Sequence, residues 1–157
     1  MQRSFGLAVF AFTIAAFVAP THAQESVAQT AATGSWVVGD QIYVVIPADR
    51  KSIYAFSTFT SEFSRMVLDA PLPADAKPVV GAKVAAIQAG RTIYAIGANG
   101  HGWSRLDLPA DGLHFNVDHD AIRVSNDDVF YIFSSGSKRW AGVDLRNGGV
   151  LPLKTGE

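Results

Sequence analysis

Short runs of β-branched and aromatic residues alternate with clusters of Gly, Ser, Thr, Asn and Asp along most of the chain, the pattern of short strands and tight turns with almost no helix. Ile53-Tyr54-Ala55-Phe56 is followed by Phe63-Ser64-Arg65-Met66-Val67-Leu68. Forty residues on, without a gap, come Ile93-Tyr94-Ala95-Ile96 and Trp103-Ser104-Arg105-Leu106-Asp107-Leu108. After a further 37 come Phe130-Tyr131-Ile132-Phe133 and Trp140-Ala141-Gly142-Val143-Asp144-Leu145. The same spacing sets Tyr43 to Ile46 on Lys83 to Ala86 and on Asp120 to Arg123, and a weaker run closes each unit: Lys77 to Gly81, Leu113 to Val117 and Gly149 to Leu153. A fixed period of this length marks a repeat architecture. The fold class that follows is all-β: three repeats of about 37–40 residues with roughly four short strands each.

Alternate side chains of a strand face opposite ways. In the middle strand of each unit Ile53/Ala55, Ile93/Ala95 and Phe130/Ile132 share one face, and Tyr54/Phe56, Tyr94/Ile96 and Tyr131/Phe133 the other. Both faces are apolar, so these strands are expected to be covered on both sides, as when small sheets stack around an axis. The next strand keeps Met66/Leu68, Leu106/Leu108 and Val143/Leu145 on one face and puts Arg65, Arg105, Asp107 and Asp144 on the other, which places it nearer solvent.

The phrases IYAFSTFTSEFSRMVL, IYAIGANGHGWSRLDL and FYIFSSGSKRWAGVDL resemble β-propeller blades of the kelch-like sort. In those, an aromatic strand, a small-residue turn and a Trp-led strand recur once per blade. The likeness covers roughly residues 41–145 and lacks the double glycine that follows the aromatic strand in kelch blades. It implies a propeller-like domain. Three blades fall short of the roughly four to eight that close a propeller. Either chains associate to complete a ring, or the three units form a β-trefoil; the doubly apolar strands favour propeller-like stacking.

Residues 1–23 read as a secretory signal peptide: Arg3 is the sole charge, Phe5 to Val18 are dominated by apolar residues, and Thr21-His22-Ala23 is a small-x-small cleavage site. The apolar stretch is shorter than the ~20 residues of a bilayer span, so no membrane anchor is expected after its removal. Residues 24–34 lack apolar periodicity and read as a flexible leader, and 35–157 as one all-β repeat domain with units at about 41–80, 81–117 and 118–153. The protein is expected to be periplasmic or secreted.

Composition then removes chemistries. The 157 residues contain no Cys, which excludes disulfides, thiolate nucleophiles and Cys-ligated metals. Lys and Arg number 13 against 14 Asp and Glu, with no clustered basic face, so nucleic acid is not an expected partner. Gly97-Ala98-Asn99-Gly100-His101-Gly102 links two strands and precedes no helix, so it is no phosphate cradle, and the sequence implies no cofactor. Asp118, His119 and Asp120 are weak metal candidates, because neighbouring side chains on a strand point apart. No metal site and no catalytic residue is expected.

The aromatics that open the third strand, Phe63, Trp103 and Trp140, with Arg65 and Arg105 beside them, are the candidate ligand-binding residues, suited to stacking a sugar ring or gripping a peptide. Packing between strands is the competing role for the same aromatics. The expected function is an exported binding or interaction module for protein or carbohydrate. The alternative is a small extracytoplasmic hydrolase or lyase using the rim loops, which would show a single deep cleft lined by His101, His114 or Asp118.

Overall fold

The computed structural model describes residues 29–31, 34–100, 102–109 and 111–153. Among these residues the chain is all-β, with no helix. The first sheet contains β1 (Gln29–Ala31), β2 (Gly34–Val38), β3 (Ile42–Pro47), β4 (Ser52–Ser57) and β5 (Glu62–Val67). The second contains β6 (Pro78–Val80), β7 (Val84–Ala89), β8 (Thr92–Gly97) and β9 (Ser104–Asp107), and the third β10 (His114–Val117), β11 (Ala121–Ser125), β12 (Val129–Ser134) and β13 (Ala141–Asp144). Every sheet is an antiparallel meander in chain order, and no strand ladder joins one sheet to another or closes a barrel among the described residues. The repeats are thus three blade-like sheets.

The β4–β5 hairpin and its two counterparts have one register: Ala55 faces Ser64, Ala95 faces Ser104 and Ile132 faces Ala141. The strand before them corrects the sequence alignment. Ala55 pairs with Val44 but Ala95 pairs with Ala86, so β3 matches β7 two residues later than uniform spacing sets it. The surplus lies in the β3–β4 turn, where Arg50 takes φ 54°, the left-handed conformation that Gly90 (φ 58°) supplies in the shorter β7–β8 turn. The weaker runs at 77–81 and 113–117 contain β6 and β10 and begin the following sheet. The last run forms no strand among the described residues; it makes the Val143–Val150 bridge and packs Leu151 and Leu153 against the core between the second and third sheets. Within the stretch read as a leader, Gln29–Ala31 forms β1 on the edge of β2, a backbone ladder that needs no apolar side chains. The signal-peptide reading lies outside the described residues.

The three sheets stack. Each has a leading face toward the sheet that follows and a trailing face toward the one before. Val44, Ile46, Ile53 and Ala55 on the leading face of the first sheet form one core with Ala85, Ile87 and Ile96 of the second. The opposite face of the second sheet, with Val84, Ala86, Ile93 and Ala95, forms another core with Ile122, Val124, Tyr131 and Phe133 of the third. Double-sided coverage is therefore met in β7 and β8, where alternating residues fill two different cores, and not in β4 or β12. A stack of three leaves two end faces.

The turns that open the sheets are tied together in series. Gln41 N–H donates to the Ala82 carbonyl at 3.0 Å, and Lys83 N–H to the His119 carbonyl at 2.8 Å. The backbones approach so closely that a Cβ added at Gly81 would run into the Asp118 carbonyl. At the same end of the first sheet, where Ser57 pairs with Ile42, the Ser57 hydroxyl crosses to the second sheet and donates to the Ala98 carbonyl at 2.7 Å.

Candidate functional site

Phe63, Trp103 and Trp140 occupy one position repeated three times, on the trailing face where the last strand of each sheet begins. The structure does not bring them into a common site. Trp140 is only 6% exposed and packs at 5.5 Å on the Phe133 ring between the third and second sheets. Its Nε1 has no hydrogen-bond partner among the described residues. Trp103 is half-buried against the core between the first and second sheets, with its Nε1 donating to the Ser64 carbonyl. Among the described residues no sheet precedes the one that holds Phe63, which is 69% exposed. These three environments follow from position in the stack.

The two arginines also separate. Arg105 donates to Asp107 at 2.9 Å and to Asp69 at 3.0 Å, bonds that raise its pKa, Asp107 foremost. It lies across the strands from Tyr94, whose pKa is raised chiefly by burial. Arg65 is exposed and stands over the Tyr54 ring, 5.6 Å from its centroid, a cation–π geometry. Arg65 and Phe63 thus share a face, while Trp103 and Arg105 belong to the edge of an internal contact and Trp140 to the core.

That shared face is the trailing side of the first sheet. Strand pairing lays its side chains in two rows, Val38-Tyr43-Phe56-Phe63 and Trp36-Val45-Tyr54-Arg65. Tyr43 meets Phe56 edge-on at 6.2 Å and Phe56 meets Phe63 at 4.9 Å, so aromatic contact runs across three strands. Pro47, Ser52 and Val67 extend the face, with Val67 66% exposed. From β2 to β5 Arg65 is the one charge in these rows and none of their residues is an acid or an amide; the register continues the second row into β1, with Gln29 opposite Trp36. Trp36, Tyr43 and Val45 were not among the residues singled out from the sequence. The signal was present in β3, whose Tyr43/Val45 alternate with buried Val44/Ile46 and so make it apolar on both faces.

Asp118 is engaged by Arg123 at 2.7 Å, His119 and Asp120 are exposed, and no group of three His, Asp or Glu that could hold a metal ion occurs among the described residues. His101 lies outside those residues. Two depressions among the described residues, of about 530 and 350 Å³, are lined chiefly by the 73–79 connection with Gln88 to Gly90, and by Leu106, Tyr131 and Leu151 to Leu153. Neither contains His114 or Asp118. The Ser57 hydroxyl is committed to the Ala98 carbonyl and offers no nucleophile. Compared with family models and with curated proteins, the chain matches none.

Proposed function

We propose that the chain is an exported interaction module, periplasmic or secreted, that binds a protein through the trailing face of its first sheet. The observation that carries this reading is the aromatic surface of Tyr43, Phe56 and Phe63, in contact across three strands of that face. An apolar patch left in water is costly, and such patches on soluble proteins mark surfaces that partners cover. A protein suits this face better than a sugar, because a glycan needs several placed polar groups to fix its hydroxyls, and the paired rows from β3 to β5 supply one arginine and two tyrosine hydroxyls.

A photo-reactive side chain installed at Phe63, with one at exposed Lys138 as the control, tests this in cells exporting the chain. The expected result is a protein adduct from position 63 and none from position 138. Equal labelling from both positions, or a glycan array that binds the chain while position 63 gives no adduct, would overturn it.

A further inference from the structure

Resting on that reading, we propose that the partner is a second copy of the chain: the leading face of the third sheet in one copy covers the trailing face of the first sheet in the other, and two such contacts close a ring of six sheets.

The two exposed end faces are the two halves of a contact the chain already makes twice within itself. By register, Phe130 and Ile132 on the third sheet stand where Ile53 and Ala55 stand on the first and Ile93 and Ala95 on the second. Those four counterparts are at most 2% exposed under the sheet that follows, whereas Ile132 is 37% exposed because no sheet follows. At the other end Phe63 is the counterpart of Trp103 and Trp140, each of which packs toward the sheet before it. The repeats build a head-to-tail contact and stop one short at each end.

The series of turns has matching loose ends. Gln41 N–H donates forward to Ala82, and Lys83 N–H to His119. Asp120, the next donor in the series, gives its N–H to no backbone carbonyl among the described residues, and the Asp40 carbonyl accepts from none. A second copy in the same relation supplies Asp40 to Asp120. A head-to-tail contact either closes or grows into a filament. Two copies give six sheets, inside the range of about four to eight that closes in propellers, whereas three copies give nine.

The test is light scattering of the purified exported chain over a concentration series, with Phe63→Asp and Ile132→Asp variants whose folding is checked by urea midpoint. The expected mass is two chains, with no further growth. Each variant alone is expected to run as one chain, and a mixture of the two to recover pairs, because each supplies the face the other lacks. A single-chain mass for the unaltered protein at all concentrations, or unlimited growth, overturns the closed ring. Retained pairing in Ile132→Asp but not in Phe63→Asp overturns the head-to-tail mode in favour of two first sheets face to face. An adduct from position 63 joining two copies supports the proposal. An adduct with other proteins on a single-chain species overturns it and leaves the interaction-module reading standing; no adduct at all removes both.

Discussion

Trp103 in the second sheet donates its indole N–H to the carbonyl of Ser64 in the first, at 3.4 Å, so the aromatic that opens one blade's last strand rests on the blade before it. The same position holds buried Trp140 in the third sheet and exposed Phe63 in the first.

Truncating the three aromatics should therefore cost unequal amounts. Trp140→Ala opens a cavity in a closed core and is expected to lose about 3–5 kcal/mol. Trp103→Ala, half-buried, should lose about 2 kcal/mol by the same reasoning. Phe63→Ala should stay within about 0.5 kcal/mol in dilute solution, as a surface substitution. Urea unfolding of the three variants reads the gradient. Equal costs would contradict the assignment of Trp103 and Trp140 to packing between sheets.

The repeats and the strands were legible because side-chain alternation is local: the register of Tyr54 with Arg65 and of Tyr94 with Arg105 follows from two strands and a short turn. The fate of each aromatic was not, because Phe63, Trp103 and Trp140 are alike in sequence and differ only in whether another sheet lies on them. The even spacing of 40 also concealed two extra residues in the β3–β4 turn. Turn length is set by backbone conformation and by what the loop touches, and here the contact is with a segment more than 20 residues away.

That contact is made by Arg50. Its Nε donates to the Leu72 carbonyl at 2.9 Å, and its Nη2 to the Ala76 carbonyl at 2.9 Å and to Pro73. It thereby fixes the connection that buries Leu72 and Ala76 beneath the first core. Arg50→Ala is expected to cost about 2 kcal/mol, the scale for charge-assisted bonds lost to partly buried acceptors. Arg50→Gly should cost less, by up to about 1 kcal/mol, since φ 54° suits glycine. A glycine variant less stable than the alanine variant would show that the backbone conformation carries no strain.

Gly81 and Gly136 make opposite predictions. An added Cβ at Gly81 meets the backbone of Asp118 and His119, which cannot move without separating the second and third sheets. Gly81→Ala should cost about 2 kcal/mol or more, in the range for overpacking. At Gly136 nothing lies within 4 Å and φ is not positive. There alanine should be neutral or stabilise by about 0.5 kcal/mol, by restricting the unfolded chain. Thermal melts of the two variants check the pair, and a stable Gly81→Ala protein would refute the close approach.

Alkaline pH should destabilise the protein through Tyr131 and the partly buried Tyr94. Burial raises the pKa of Tyr131, and burial foremost, aided by Asp69 and Asp107 against the opposing effect of Arg105, raises that of Tyr94. Below the ordinary tyrosine value of about 10, both states keep the proton and stability is at its full level. As pH rises past that value the unfolded chain releases protons the folded chain retains, so stability falls until the folded groups ionise. Urea midpoints taken between about pH 9 and pH 11 should decline for the unaltered chain and decline less steeply for Tyr94→Phe and Tyr131→Phe, with the double variant the flattest. A double variant that loses stability as steeply as the original would place the alkaline transition elsewhere and remove both tyrosines from it.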